Sequence, residues 1–182
     1  MSTGEFDLAA GRLLVASPLL LDPNFYKTVV FMLQHGSEGA VGIVLNRPSE
    51  ELVESHLPEW SRRTEDHPVV FVGGPVEPAV AIGMVRADRP SEPTALREVG
   101  LVDLGGDPAG ATPGPVRVFS GYSGWGPGQV EAEVAEGAWF VVEALADDLF
   151  TPDPADLWST VLRRQVGTTA MWASFPLDPS MN

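Results

Sequence analysis

Ser123, in the segment Gly121-Tyr122-Ser123-Gly124, is a candidate nucleophile. The segment resembles half of the G-x-S-x-G turn that presents the nucleophile of many serine hydrolases. That turn needs a glycine two residues after the serine, but here the position holds the bulky Trp125. No histidine or aspartate is placed to complete a triad, so the sequence predicts a loop hydroxyl and no catalytic residue.

The glycines at positions 121, 124, 126 and 128 suit a second kind of chemistry, the binding of an anion by backbone N–H groups. An apolar strand precedes them and an amphipathic helix follows. The segment contains no lysine and does not match G-x-G-x-x-G, and Glu131 and Glu133 near the helix start would repel phosphate. We therefore favour close backbone packing over a ligand role for these glycines.

The aromatic pair Tyr122 and Trp125 suits the stacking of a base or a sugar. The alternative is that Trp125 fills the core while the Tyr122 hydroxyl makes a hydrogen bond, and the sequence favours this alternative. Gln129, one helical turn before Glu133, either contacts a ligand or faces water.

Metal and acid–base chemistry have weak support. The histidines form no short pair, no EF-hand pattern is present, and the absence of cysteine excludes thiolates, so we predict no metal site and no cofactor. His35, next to glycine in a turn, has the position best suited to function, whereas His56 on an apolar helix face is expected to be partly buried. A carboxylate pair remains open as hydrolase machinery, because it needs only two acids about 5–10 Å apart.

Runs of β-branched and aromatic residues predict the strands that must position these side chains. The predicted strands are residues 12–16, 28–33, 41–45, 69–72, 80–85, 99–104, 116–119 and 138–142, and helices are predicted from Ser49, near Pro127 and from Pro154. For residues 138–142, periodicity alone leaves a helix as the alternative. Residues 121–128 are expected to form a loop, and Gly73 and Gly74 a tight turn. The second and third strands form a hairpin, which places His35 at its tip and Asn46 at the far end, so the two cannot share a site unaided.

The net negative charge of the chain disfavours polyanionic binding partners. The chain has 25 acidic and 11 basic residues, a net charge of −14. Binding duplex DNA draws on lysine and arginine to neutralise phosphates, so the sequence disfavours direct contact with nucleic acid or with an anionic membrane surface. No apolar run reaches the roughly 18 residues of a membrane span, and no signal peptide is evident, so we expect a cytoplasmic protein. The 182 residues predict one domain over 12–165, with tails at 1–11 and 166–182.

Three segments in order resemble the bacterial YqgE/AlgH family: residues 17–48 (SPLLLDPNFYKTVVFMLQHGSEGAVGIVLNRP), 70–78 (VFVGGPVEP) and 121–133 (GYSGWGPGQVEAE). The third is similar to the family pattern G-Y-x-G-W-x-x-G-Q-L-E-x-E. The resemblance implies one α+β domain whose strongly bent, mainly antiparallel sheet curls towards a barrel and is flanked by helices. It implies little chemistry, since the family has no settled activity and carries only a weak label of transcriptional regulator.

These observations favour a non-catalytic binding or regulatory module that acts through a small ligand or a protein partner. The alternatives are a hydrolase with carboxylate or histidine acid–base chemistry, and a transcriptional regulator as the family label suggests. The predicted ligand-binding surface consists of seven residues if the fold brings them together: Tyr122, Trp125, Gln129, Gly73, Gly74, His35 and Asn46.

Overall fold

A computed structural model describes residues 7–174 as ten strands joined by short helices and turns. The strands are β1 Arg12–Ala16, β2 Val29–Gly36, β3 Gly39–Val44, β4 Pro48–Leu52, β5 Val69–Val72, β6 Val76–Arg86, β7 Glu92–Pro93, β8 Val99–Val102, β9 Val116–Trp125 and β10 Trp139–Glu143. The α-helices are α1 Val53–His56, α2 Gln129–Ala135, α3 Ala146–Leu149, α4 Leu157–Arg163 and α5 Thr168–Met171. Short 3-10 helices cover Pro58–Arg63, Pro108–Gly110, Pro154–Asp156 and Trp172–Ser174. Within residues 7–174, no helix has the length and apolar character needed to cross a membrane.

The strands form one curled sheet, in the order β10-β1-β2-β3-β9-β6-β8-β7. All of these pairs are antiparallel, whereas β5 joins β9 in parallel and also pairs with β4. The sheet curls into a half-barrel with helices flanking it, which confirms the predicted fold class.

Both faces of the first strands are covered, which explains their continuous apolar sequences. Leu13 and Val15 of β1 point into the half-barrel, where they pack in the same cluster as residues of α3 and α4. Leu14 and Ala16 point to the opposite face, where Val130 of α2 belongs to a second cluster. A third cluster surrounds Trp60, whose indole N–H donates to the carbonyl oxygen of Leu104.

Strand β9 is the centre of the architecture and extends through much of the predicted glycine-rich loop. Phe119 pairs with Phe71 of β5 on one edge and with Ile82 of β6 on the other. The connection from β5 to β6 must therefore pass across the face of β9, and Gly73 and Gly74 make that crossing. The prediction of a loop over 121–125 was wrong, because Tyr122 pairs with Val76 of β6 and residues 123–125 pair with β3.

The helix predicted from Ser49 is largely a strand. Residues 48–52 form β4, which pairs with β5, and the Ser49 hydroxyl donates to the carbonyl oxygen of Val70. Only residues 53–56 are α-helical, so His56 is exposed and its Nε2 lies 2.6 Å from Glu51 Oε2. The expectation of a partly buried His56 was therefore wrong. The residues predicted to form the first helical turn pair with β5 as a strand instead.

The remaining elements follow the sequence closely. The hairpin of β2 and β3 is confirmed, with Gly36 opposite Gly39. The helical segment from Pro154 is also confirmed, and the Asp153 carboxylate accepts from the N–H of Asp156 as a cap. Residues 1–6 and 175–182, which belong to the two predicted tails, lie outside the described residues.

Candidate functional site

The two adjacent glycines of the predicted site serve a close backbone crossing. A Cβ atom on Gly73 would approach Gly121 O, and one on Gly74 the backbone of Tyr122, each at less than 3.0 Å. Gly121 has φ +69° and faces Gly74 O in the same crossing, so three glycines let two chain segments pass. The Gly73 N–H donates to Ser120 O, while Gly73 O accepts from the N–H of Val44. These contacts occupy the backbone groups that a ligand would use.

Tyr122 and Trp125 belong to different clusters and do not form one surface. Tyr122 packs against the half-barrel cluster, and its hydroxyl lies 2.8 Å from Glu77 Oε2. The hydrogen bond to Glu77 is the main cause of a raised pKa for the Tyr122 hydroxyl. Trp125 lies in the opposite cluster beneath α2 and is only 5% exposed, as expected of a core-filling side chain.

Trp125 is one of three packed aromatic rings between the sheet and α2. The Phe25 ring is stacked on Trp125 at a centroid separation of 6.0 Å and meets Trp139 edge-on at 5.5 Å. Trp125 and Trp139 also meet edge-on, at 6.1 Å. The two indoles are 5% and 2% exposed, so protein atoms cover their ring faces. We call Phe25, Trp125 and Trp139 the aromatic cluster.

The Glu133 carboxylate lies next to the two indoles of the aromatic cluster. Burial of Glu133 in α2 is the largest influence on its carboxyl and raises the pKa, although the neighbouring indoles of Trp125 and Trp139 act in the opposite direction. Among the described residues, Glu133 Oε2 and Trp139 Nε1 are both buried, and neither makes a hydrogen bond with proper geometry. An unsatisfied acceptor and an unsatisfied donor therefore lie beside the same rings.

The opposite side of α2 is tied to the hairpin. His35 Nε2 lies 2.6 Å from Glu131 Oε1, and their side chains are 19% and 46% exposed. The pKa of Glu131 is lowered, first by a backbone hydrogen bond and then by His35. Gln129 caps the preceding turn, since its Oε1 accepts from the N–H of Gly126 at 3.0 Å. The fold thus brings His35 to the helix that carries Gln129.

Asn46 lies at the other end of the hairpin, as the sequence predicted. Its Nδ2 donates to Lys27 O, and its Oδ1 accepts from the N–H of Val29, each at 2.9 Å. These bonds hold the residues that enter β2 to those that leave β3. Asn46 and His35 therefore lie at opposite ends of the hairpin.

The loop over residues 17–25 runs beside α2 and exposes two leucines. The N–H of Ser17 donates to Ala138 O, and Asp22 is close enough to influence Glu133. Leu19 and Leu21 are 78% and 64% exposed, whereas Leu20 and Phe25 pack inwards. We define the loop–helix face as Leu19, Leu21, Asp22, Gln129, Glu133 and Glu136.

Two open depressions lie elsewhere on the surface. One of about 360 Å³ lies between α1 and the segment 61–68, and one of about 320 Å³ lies beside β8 and the segment 106–112. None of the seven predicted residues lines either depression. No group of three or more histidines and carboxylates in the described part of the chain is arranged to hold a metal ion.

The structure places the protein in the class of α+β half-barrels. The comparison with known sequences identifies the family. A family model described as AlgH-like (DUF179) matches residues 13–170. The chain therefore belongs to the AlgH-like family, which confirms the resemblance found in the three sequence segments.

Relatives of known sequence span nearly the whole chain. A UPF0301 protein of Streptomyces coelicolor is 46% identical over 188 residues, covering 98% of this chain and 97% of the relative. A UPF0301 protein of Thermobifida fusca is 42% identical over 187 residues, covering 94% of each.

Two solved structures share the fold. The crystal structure of a Corynebacterium diphtheriae protein superposes with a TM-score of 0.86 at 28% identity, covering 96% of this chain and 95% of the other. The solution structure of AlgH from Pseudomonas aeruginosa gives a TM-score of 0.69 at 27% identity, covering 98% of this chain and all of the other.

Sequence reasoning missed Phe25 and Trp139, and it considered Glu133 as an acid near a helix start and as the partner of Gln129 on one helix face. The three belong to a loop, a strand and a helix that lie far apart along the chain. The spacing from Gln129 to Glu133 was a local signal for a shared helix face. No local pattern shows that the same face meets two indoles, because that contact depends on the pairing of β1 with β10.

Proposed function

We propose that the protein is a non-catalytic binding module whose loop–helix face docks on a protein partner. The supporting observation is the pair of exposed leucines, Leu19 and Leu21, in the loop whose Asp22 carboxylate is close enough to influence Glu133 of α2. The complementary partner surface carries lysine or arginine around an apolar centre.

Each part of this face has a distinct energetic role. Burying a leucine side chain contributes about 1.5–3 kcal/mol, so Leu19 and Leu21 supply affinity. The exposed carboxylates of Asp22 and Glu136 attract a basic segment from a distance and fix its orientation more than they add to affinity. The net charge of −14 extends this preference for basic partners over the whole molecule.

A protein partner fits better than a small ligand. Small-molecule sites are concave and expose apolar or aromatic walls. The ring faces of Trp125 and Trp139 are covered by protein, and the glycines at 73, 74 and 121 are used in the backbone crossing. The hydrolase alternative has the same difficulty, because it requires a pocket with displaced acid or base groups beside this motif.

The regulator label is compatible with this proposal only through another protein. Direct DNA binding requires a basic stripe, and the chain has 11 basic residues against 25 acidic ones. Regulation by occupying a basic surface of a second protein needs no such stripe.

A random peptide display library is the probe that tests the proposal. We expect selection on the wild-type protein to enrich peptides with basic residues around an apolar centre. Isothermal titration of an enriched peptide should show at least tenfold weaker binding to the Leu19→Ser/Leu21→Ser double variant, corresponding to about 1.4 kcal/mol or more. Affinity should also fall with added salt.

Val166→Ser is the matched control, because Val166 is 83% exposed and lies beyond α4. It should bind the enriched peptide as the wild type does. Failure to enrich any peptide family, or enriched peptides that bind the double variant equally well, would contradict the proposal. Turnover abolished by replacing one of the seven predicted residues would replace it with an enzymatic function.

A further inference from the structure

Arg117 is a buried charge in the central strand. Its side chain belongs to the half-barrel side of β9 and is 3% exposed. The guanidinium carbon lies 4.8 Å from the ring centre of Phe71 and 5.7 Å from that of Phe150. Removing a charged group from water is costly unless other charges or hydrogen bonds compensate.

The hydrogen bonds of Arg117 are few. Its Nη1 donates to the carbonyl oxygen of Leu149 at 3.3 Å, and a guanidinium carries five N–H bonds. Within the described range of the chain, no carboxylate oxygen lies within 4.0 Å of its nitrogen atoms. Burial lowers the pKa of Arg117 to about 10, against a weaker opposing influence from Asp66. Apart from the Leu149 carbonyl and the two rings, the charge is therefore compensated only from a distance.

His67 packs on the same phenylalanine ring as this guanidinium. Its half-buried ring meets Phe71 edge-on at 5.2 Å, so His67 and Arg117 share one aromatic neighbour. Burial and the positive charge of Arg117 both lower the pKa of His67. Within residues 7–174, its ring nitrogens make no hydrogen bond. Two nitrogen-rich groups with unused hydrogen-bonding capacity thus contact the same ring, Phe71, and influence each other electrostatically.

We propose that Arg117 and His67 form a binding site for a small oxyanion, either inorganic phosphate or a carboxylate. The rings of Phe71 and Phe150 cover the guanidinium faces, while its N–H bonds lie in its own plane and stay available to an acceptor. A planar fork of donors matches a carboxylate or phosphate edge, and the neutral imidazole adds one more N–H. The half-exposed His67 marks the side from which the anion enters. This site is independent of the loop–helix face.

Nuclear magnetic resonance of the histidine side chains tests the site directly. The sequence has three histidines, so His67 is monitored beside His35 and His56 as internal references. We expect phosphate or acetate, added at constant ionic strength and pH 7, to shift the His67 ring signals saturably while the other two stay unchanged. Whichever anion causes the shift identifies the class. If neither anion shifts His67, the proposal is wrong.

Thermal unfolding provides the second readout, with chloride at equal ionic strength as reference. The binding anion should raise the Tm of the wild-type protein by several degrees, the Tm of His67→Gln by less, and that of Arg117→Met not at all. Equal stabilisation of all three proteins would mean that the anion acts by general exclusion from the surface, and would overturn the site. If Arg117→Met does not fold, the resonance titration of the wild type and the Tm comparison of the wild type with His67→Gln decide together.

Discussion

Single residues in this protein take their roles from partners that are distant in sequence. Glu133 is an unremarkable acid in an amphipathic helix until β10 places Trp139 beside it. Burial then raises the pKa of its carboxyl above the ordinary value of 4.5. The same logic applies to His35, which contacts Glu131 across 96 positions of sequence.

Replacement of Glu133 by glutamine tests the consequence of that burial. Because the folded-state pKa is raised, the folded protein holds this proton more tightly than the unfolded chain, and stability is lost as pH rises above 4.5. We expect Glu133→Gln to gain stability relative to wild type between pH 4.5 and pH 7, by on the order of 1 kcal/mol or less. Urea denaturation at both pH values measures the difference.

Glu38→Gln is the control for this comparison, because Glu38 is exposed in the hairpin turn. Its stability difference from wild type should stay nearly constant over the same pH range. A Glu133→Gln variant that loses stability relative to wild type as pH rises would show that the carboxylate is stabilised in the folded protein.

Among the elements, β9 and the crossing over it decide the architecture. Gly73 and Gly74 pass over Gly121 at a separation that excludes a Cβ atom. The sequence predicted backbone packing for the glycine-rich stretch but placed a loop there. Glycine weakens the strand signal, and the pairing partners of β9 come from three distant strands, so no local pattern shows the two-edged pairing.

Replacement of Gly74 by alanine tests the crossing. A Cβ at this position would collide with the backbone of Tyr122, which cannot move without disturbing β9. We expect a loss of about 3 kcal/mol in unfolding free energy, at the upper end for overpacking. Gly36→Ala is the control, since a Cβ there meets no atom within 4 Å. Equal stability of the two variants in urea would show that the crossing relaxes easily.

At the scale of the whole molecule, charge sets which partners are possible. A net charge of −14 repels phosphate backbones over distances beyond any single contact. The proposed anion site does not alter this, because Arg117 is buried and offers no surface to a polymer.

This protein should therefore bind duplex DNA more weakly than an ordinary DNA-binding protein binds non-specific DNA, for which Kd is about 10⁻⁴–10⁻⁶ M. Fluorescence anisotropy with a labelled duplex at 50 mM salt measures this, and we expect no saturation below about 100 μM protein. A basic DNA-binding domain serves as the positive control. Micromolar binding that weakens steeply with salt would support direct action on DNA instead.

Local patterns along the chain were enough to predict the family, the α+β class, most strands and the separation of His35 from Asn46. These features depend on local patterns: β-branched runs, glycine and proline positions, and ordered motifs. The tertiary structure decided what the motifs do. It converted the glycine-rich stretch into a paired strand, turned the start of a predicted helix into β4, and assembled the aromatic cluster, the loop–helix face and the Arg117–His67 pair. Each of these features depends on contacts between segments that lie far apart in sequence. The free energy of such contacts cannot be estimated from a local sequence pattern.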